Sequence, residues 1–485
     1  MPAPETAATT PDPRRWSALA VLGVAYLMVV LDVSIVNVAL PSIQTDLDFA
    51  PADLQWVVSG YALAFGGFLL LGGRAGDLLG RRRLFMVGLA LFAIFSAMCA
   101  LSTSDGMLIA ARLLQGAASA VLAPSVFSIT MVTFTEGAER NKALGILGAI
   151  AGAGAAIGVL LGGILTEYAG WEWVFWINVP IGLVSLFLVP RFVQESKVAG
   201  LARNFDAFGA TAVTGGLLLL VFGLTQANNE GWTSGQTIGV LAAAAVLLIA
   251  FLVIESRNRH ALMPLGFFRR RTPTGANIVG FGLGTVVFSM FFLLSLYMQQ
   301  VLGLSAMETG VGYLAVALTA VFASGVAQAL VTRMGVKPAL AFGLAAILAG
   351  LLWFTQISVD GSYFGDLFVG FVLIGIGLGF SFVPVSIAAL AGVPMQEAGL
   401  ASGLINTVQQ IGGALGVAIL TTVSTTRTEN ALESGTDAPH ALTDGFSVAF
   451  WVAAAFAVAA ILATLFTLRR ADLDAPPAAQ AHAGM

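Results

Sequence analysis

The sequence predicts an all-α integral membrane protein of fourteen transmembrane helices, built as two six-helix bundles with two further helices inserted between them. Three observations predict it. Hydrophobic residues make up 58% of the 485 and charged residues only 10%, with a mean hydropathy of +0.91. The apolar residues gather in uninterrupted runs of about twenty. The basic residues concentrate in every second connection between those runs.

Each observation narrows the choice. A soluble protein carries about 25% charged residues, and a water-exposed fold has nowhere to put this much apolar side chain. A bilayer accepts only helices or closed barrels, because every backbone polar group must be satisfied inside the protein. Barrel strands alternate and run to about ten residues, so these long runs are helices. They fall at 17–40, 54–72, 84–103, 107–131, 143–166, 173–189, 208–226, 237–254, 275–299, 310–331, 339–357, 364–388, 398–423 and 446–468. The first run, after Arg14 and Arg15, is too long for a signal-peptide core and reads as a retained helix.

An even count places both termini on one side. With the N-terminus in the cytoplasm, 20 of the 22 Lys and Arg residues lie in cytoplasmic segments; Arg427 lies outside and Arg112 within a span. This is the bias of the positive-inside rule, and a thirteen-span count destroys it over half the chain. The expected location is the cytoplasmic membrane, crossed many times.

An internal repeat supports the halves. Gly80-Arg81-Arg82-Arg83 before the third span matches Gly335-Val336-Lys337-Pro338 before the eleventh, and Gly88 matches Gly343. The expected organisation is a cytoplasmic tail at 1–16 and a first bundle at 17–189. A linker with two inserted helices follows at 190–274, then a second bundle at 275–468 and a tail at 469–485. The polar, acidic stretch at 424–445 is expected to be a solvated outer connector.

Asp32 carries the most chemistry. It lies about 20 Å along the first span at about 1.5 Å per residue. An ionised Asp there costs about 2.5–3.5 kcal/mol on insertion scales. Burial disfavours the charged form, so a carboxylate in this place can take up a proton and release it as its surroundings change. Arg112 lies about 8 Å inside the fourth span on the same rise, with Gln115, Gly116 and Ser119 on its face. Its guanidinium either reaches polar groups on an adjacent helix or snorkels to the headgroups.

Other polar residues divide by geometry. Asn37 shares the first span with Asp32 but stands about 140° round the helix, so it is expected to bond a different neighbour in a structural role. Asn406, Gln409 and Gln410 in the thirteenth span either contact substrate or bond helices together. Gly154, Gly158, Gly162 and Gly163 belong to a glycine-rich fifth span whose small residues allow close helix approach, as a gating seam requires. The turn Gly73-Arg74-Ala75-Gly76-Asp77-Leu78-Leu79-Gly80-Arg81-Arg82-Arg83 sets one acid among basic residues. Asp77 is expected to act as a gate latch, since an acid near helix ends can dock on a helix N-terminus.

Other function classes find no support. No basic patch interleaved with aromatics points to nucleic acid. The three histidines, His260, His440 and His482, lie in connections or the tail, and no metal-ligand spacing, phosphate loop or nucleophile elbow occurs. No cofactor or metal is expected, and the single Cys99 forms no internal disulfide. Without an ATP site, any concentrating work draws on an ion gradient or the membrane potential.

These residues resemble the major facilitator superfamily, and within it the fourteen-helix drug:proton antiporter-2 family. Leu31-Asp32-Val33-Ser34-Ile35-Val36-Asn37-Val38-Ala39-Leu40-Pro41 is similar to that family's first-helix signature. The 73–83 turn resembles the superfamily's loop motif, and Arg112 with Gln115 and Gly116 its fourth-helix motif. Trp171, Trp173, Phe175, Asn178, Pro180 and Gly182 resemble the run entering the sixth helix, with Asn178 as a structural polar group. Val159 stands where the antiporter motif usually has proline, and Glu172 where a basic residue is usual.

The resemblance implies a major facilitator fold and proton-driven export of small hydrophobic or cationic compounds such as drugs and antibiotics. Asp32 would be the protonation site, with Arg112 coupling proton movement to gating. Gln115 would join Asp32 among the candidates for contact with substrate. Gly73, Asp77, Gly80, Arg81 and Arg82 would close the cytoplasmic side. The expected partners are a small-molecule substrate, protons and the lipid bilayer, with the protein a monomer and no enzyme. Proton-coupled uptake and a non-transporting sensor or scaffold are the alternatives.

Overall fold

The computed structural model describes residues 13–134, 138–196, 206–258, 265–393 and 398–469. Among these the regular structure is helical, without strands. The first half comprises α1 (Arg15–Asp46), α2 (Trp56–Leu79), α3 (Arg81–Ala100), α4 (Asp105–Thr133) and α5 (Ala138–Tyr168), followed by the short α6 (Trp173–Trp176) and by α7 (Asn178–Phe192). Then come α8 (Ala207–Glu230) and α9 (Gly235–Arg257). The second half holds α10 (Arg271–Leu296), α11 (Ala306–Gly312), α12 (Leu314–Met334), α13 (Val336–Phe354), α14 (Phe368–Leu390), α15 (Ala398–Glu433) and α16 (Ala438–Thr467). Among the described residues eleven helical stretches are long and apolar enough to cross a bilayer, and Trp56–Leu69, Ala156–Tyr168 and Phe208–Leu224 are shorter apolar ones.

Among the described residues two of the expected spans are broken. The sixth divides into α6 and α7, and the tenth into α11 and α12 at Tyr313. The 424–445 stretch also differs from its expected form as a connector. α15 runs on to Glu433 and α16 begins at Ala438, so 424–445 is mostly helix. Polar sequence marks water and does not exclude helix. Across this hairpin Arg427 pairs with Asp444 at 3.2 Å, and Thr428 Oγ1 donates to Ala441 O at 3.2 Å.

α1 packs on α5, α2 on α4 and α3 on α4; in the second half α10 packs on α15, and α14 on both α12 and α13. The repeated glycines occupy matching places. Gly80 (φ 107°) joins α2 to α3 and Gly335 (φ 87°) joins α12 to α13, both in the left-handed region that favours glycine. A Cβ on Gly88 would press on α4 at Leu122 N, 3.2 Å away, and one on Gly343 would meet α14 at Gly377 O, 2.9 Å away. Large apolar side chains such as Phe187, Phe208, Val246, Phe322 and Phe466 face outward, as a lipid-facing surface requires.

α8 and α9 pack on each other, and α8 lies against both α2 and α15. Trp56 and Leu63 of α2, Leu217 and Val221 of α8, and Ala414 and Ala418 of α15 form one buried apolar cluster. Gly67 of α2 faces Thr214 of α8, with no room for a Cβ between them.

The helix ends divide by charge. At the basic end Arg15 Nη2 pairs with Glu139 Oε1 at 2.8 Å. At the opposite, acidic end the two halves are joined. Gln299 Nε2 donates to Val38 O at 2.9 Å and Gln300 Nε2 to Gln44 Oε1 at 2.8 Å. There a Cβ on Gly163 would lie 2.7 Å from Ala306 O, and one on Gly310 would lie 2.6 Å from Val159 O. Above this closure sits a vestibule of about 840 Å³ lined by Ser42, Asp46, Glu167, Trp171, Glu172 and Gln299 among others.

Candidate functional site

Asp32 sits in the middle of α1 with none of its surface exposed. Its carboxylate accepts three hydrogen bonds from two neighbouring helices. Arg112 Nη1 donates to Oδ2 at 2.6 Å, Gln115 Nε2 to Oδ1 at 2.8 Å and Asn178 Nδ2 to Oδ1 at 3.0 Å. The first is also an ion pair, with Arg112 only 1% exposed. Buried charges persist when paired and hydrogen-bonded, and here both conditions hold on both sides.

Arg112 is held as firmly as its partner. Its Nε donates to Val57 O at 2.8 Å and its Nη1 also to Gln115 Oε1 at 2.7 Å. Its Cζ lies 4.3 Å from the centre of the Tyr61 ring and 5.6 Å from that of Phe175. Such ring faces attract a desolvated cation. The guanidinium therefore reaches inward to α1 and α2 and does not snorkel. Gly116 permits this, because its α-carbon packs directly on the Tyr61 backbone and brings α4 against α2.

A second tier fixes the amides. Ser96 Oγ of α3 accepts from Gln115 Nε2 at 3.2 Å and from Asn178 Nδ2 at 3.0 Å, and donates to Phe175 O at 2.9 Å. Tyr61 OH donates to Ser119 Oγ at 2.7 Å, and Ser119 Oγ donates to Gln115 O at 3.0 Å. Cys99 Sγ lies 3.6 Å from Gln115 Oε1. Asn178 is the first residue of α7, and the break after α6 sets its side chain toward Asp32. Ser96 and Tyr61, part of this cluster, carry no signal in sequence that separates them from ordinary helix polar groups. Asn178, expected as structural, bonds Asp32 itself.

The other candidates lie apart. Asn37 Nδ2 donates to Val33 O at 3.0 Å on its own helix, and its Oδ1 is buried without a partner among the described residues. Asn406 is exposed and donates to Ser402 O at 2.8 Å. Gln410 packs its Cβ toward Gly66 across the α2–α15 seam, and the Gln409 backbone abuts Gly284 of α10. Among the described residues none of the three bonds Asp32 or Arg112. Asp32 and Gln115, expected at a substrate cavity, are fully enclosed here.

The gating glycines lead back to Asp32. A Cβ on Gly154 would meet Val30 at 2.9 Å and one on Gly162 would meet Ile35 O at 2.5 Å, while Gly158 packs on Ser34. The α5 backbone therefore rides along the stretch of α1 that carries Asp32. Gly73 and Asp77 lie on α2, but their surroundings fall outside the described side chains. The α3 N-terminus is docked by a different acid. Glu195 Oε1 accepts from Arg82 N at 3.1 Å and its Oε2 from Arg83 N at 3.2 Å, while Arg81 N donates to Ser196 O at 2.9 Å. This acid follows α7 in the same half, too distant in sequence to be tied to the turn beforehand.

Chemically the cluster couples a charge to a bond. A proton on Asp32 would cancel the charge half of its contact with Arg112, while Val57 O and Gln115 Oε1 would still accept from the guanidinium.

Residues 22–417 match the family model described as Major Facilitator Superfamily. The chain belongs to the major facilitator superfamily. Within the superfamily it is 39% identical over 468 residues to the puromycin resistance protein pur8 of Streptomyces alboniger, covering 96% of this chain and 92% of that one. It is 40% identical over 425 residues to the cephamycin export protein CmcT of Amycolatopsis lactamdurans, covering 87% of each. The tetracenomycin C resistance and export protein of Streptomyces glaucescens shares 33% identity over 95% of this chain and 93% of its own. Among solved structures, the POT family transporter PepTSo superposes with a TM-score of 0.69 at 16% identity, covering 96% of this chain and all of that one. A bacterial homologue of the human lysosomal transporter Spinster, inward-facing and unoccupied, gives 0.66 at 16% over the same shares. These two share the fold. This member of the major facilitator superfamily is a multi-pass membrane transporter of small molecules.

Proposed function

We propose that the protein exports small hydrophobic or cationic compounds, antibiotics among them, across the cytoplasmic membrane in exchange for protons. The buried Asp32–Arg112 pair carries this reading. Intramembrane ionisable pairs track proton and substrate pathways, and this one ties a deep carboxylate of α1, the helix along which α5 packs, to α4. The export and resistance relatives support the direction and the kind of cargo.

The working unit is a monomer of fourteen spans with both termini in the cytoplasm, the basic end facing in. α1–α7 and α10–α16 are its two bundles, and α8 and α9 are the insertion. With the acidic end closed, the structure fits an inward-facing state. In the cycle, Asp32 releases its proton inward and pairs with Arg112 as substrate binds. Substrate leaves outward and Asp32 is reprotonated from the acidic side. One proton exchanged for one monovalent cation moves no net charge, whereas a neutral cargo lets the membrane potential add about 2.3 kcal/mol per 100 mV.

Everted vesicles with an imposed pH gradient test this. Adding a transported dye or antibiotic should release protons from wild-type vesicles, and Asp32→Asn should abolish that release. Undiminished release in Asp32→Asn overturns the reading.

A further inference from the structure

We infer that Asn178 is a positioning residue that serves both protonation states of Asp32, its amide turning over when the carboxylate takes up a proton. The inference rests on Asp32 being the proton carrier and adds a residue to that device. Asn178 is 1% exposed. Its Nδ2 spends both hydrogens, on Asp32 Oδ1 at 3.0 Å and on Ser96 Oγ at 3.0 Å. Its Oδ1 is buried and has no hydrogen-bond partner among the described residues. Buried polar atoms are nearly always satisfied, and one left open beside a titrating group has a use.

An ionised carboxylate only accepts hydrogen bonds, whereas a carboxylic acid also donates one. In the paired state the Asn178 N–H meets an acceptor. When one proton from water adds to Asp32 Oδ1, the carboxylate charge is cancelled and the new O–H points at the Asn178 N–H, donor against donor. A half-turn of the amide brings the open Oδ1 to the new O–H and restores a bond. Ser96 keeps its bond from Gln115 throughout. The titratable or charged groups facing Asp32 are Arg112 from α4, Tyr61 from α2 and Cys99 from α3. None faces it from α5 or α7 among the described residues. Gln115 also donates to Oδ1, at 2.8 Å, but its own carbonyl is already taken by Arg112 Nη1 at 2.7 Å, and the guanidinium has donors only. Among the described residues Asn178 is the neighbouring amide whose acceptor is unspent.

Infrared difference spectra of the full-length protein in membranes, taken between alkaline and acid pH, test this. A carboxylic acid C=O band should appear on acidification and be absent in Asp32→Asn. In Asn178→Leu that band should move to higher frequency, because the acid has lost its acceptor, and proton release should lose its wild-type pH profile. Asn178→Ser, whose hydroxyl donates and accepts, should bring band and profile back toward wild type. Asn178→Ala gives a second truncation should the leucine variant not fold. A band in Asn178→Leu or Asn178→Ala that superimposes on wild type overturns the amide role while leaving Asp32 as the carrier. Absence of any Asp32-dependent band overturns both.

Discussion

Arg82 and Lys337 hold matching places in the two halves, each reaching from the start of a third helix to the carbonyls at the end of a sixth. Arg82 Nη1 donates to Val193 O at 3.3 Å, just past α7, and Lys337 Nζ to Leu465 O at 2.6 Å and Leu468 O at 2.9 Å, at the end of α16. A cation at a helix C-terminus satisfies carbonyls left open there and complements the helix dipole. Lys337→Met should lower the stability of the purified protein by about 1 kcal/mol, read as an earlier thermal unfolding in detergent. An unchanged melt would mean that this contact is ornamental.

The same end of the first half depends on Glu195. Its carboxylate bonds the N–H groups of Arg82 and Arg83 at the N-terminus of α3. Glu195→Ala removes the cap and should cost about 0.5–2 kcal/mol, whereas Glu195→Gln should recover part of it. The comparison of their melts at low and high salt separates hydrogen bonding from charge.

Breaking the central ion pair should be costlier. Removing either partner leaves a buried charge, at about 3–5 kcal/mol, so Asp32→Ala and Arg112→Ala should each destabilise strongly. The double variant should be less damaged than the sum of the two. A double-mutant cycle on thermal or denaturant unfolding reads this coupling, and strict additivity would contradict the direct pair.

Much of this site is legible in sequence, and its limits are physical. A deep acid in an apolar run stands out as Asp32 does, and turning 100° per residue takes Asn37 off its face. The depth of Arg112 is not legible in the same way. Counting from the helix start places it shallow, but its partner is set by the packing of α4 on α2, where Gly116 meets Tyr61. Asn178 comes to Asp32 through the α6–α7 break, and Ser96 through the stacking of α3 on both. These are tertiary events without a local signature. Elsewhere the glycines at 80 and 335 are visible as a repeat because both need positive φ.

Gly158 tests whether the α1–α5 seam must stay thin. A methyl there overlaps Ser34 Oγ and lies 3.2 Å from Leu31 O. Gly158→Ala should cost about 1–3 kcal/mol and reduce vesicle transport, and adding Ser34→Ala should restore part of both. Full activity in the single variant would remove the seam from the mechanism.

Closure at the acidic end is testable by cross-linking. Gln44 and Gln300 are in direct contact, and the native Cys99 is buried. Cysteines at both positions, joined by a short bis-methanethiosulfonate linker matched to the span of the two glutamine side chains, should arrest transport, with reduction of the linker's disulfides restoring it. Continued transport in the fully cross-linked protein would show that this end does not open.

At the basic end, Arg15 holds the Glu139 carboxyl below its ordinary value of 4.5, chiefly through its hydrogen bond. A lowered carboxylate stabilises the fold above its unfolded value, and that contribution fades as pH falls through the lower, folded value. Glu139→Gln should therefore lower the neutral plateau slightly and converge on the wild type at acid pH, so that the acid limb below about pH 4.5 is flatter.

α8 lies across the line where α2 meets α15, and among the described residues the line between α5 and α12 has no such cover. The molecule is therefore bound along one edge like a book, with α8 as its spine and the α5–α12 flank as its fore-edge. Any rocking of the halves must flex the spine or carry it along. The two flanks are thus unequal: one is a wall of packed helix, and the other is a bare seam held by α5 against α11 and α12.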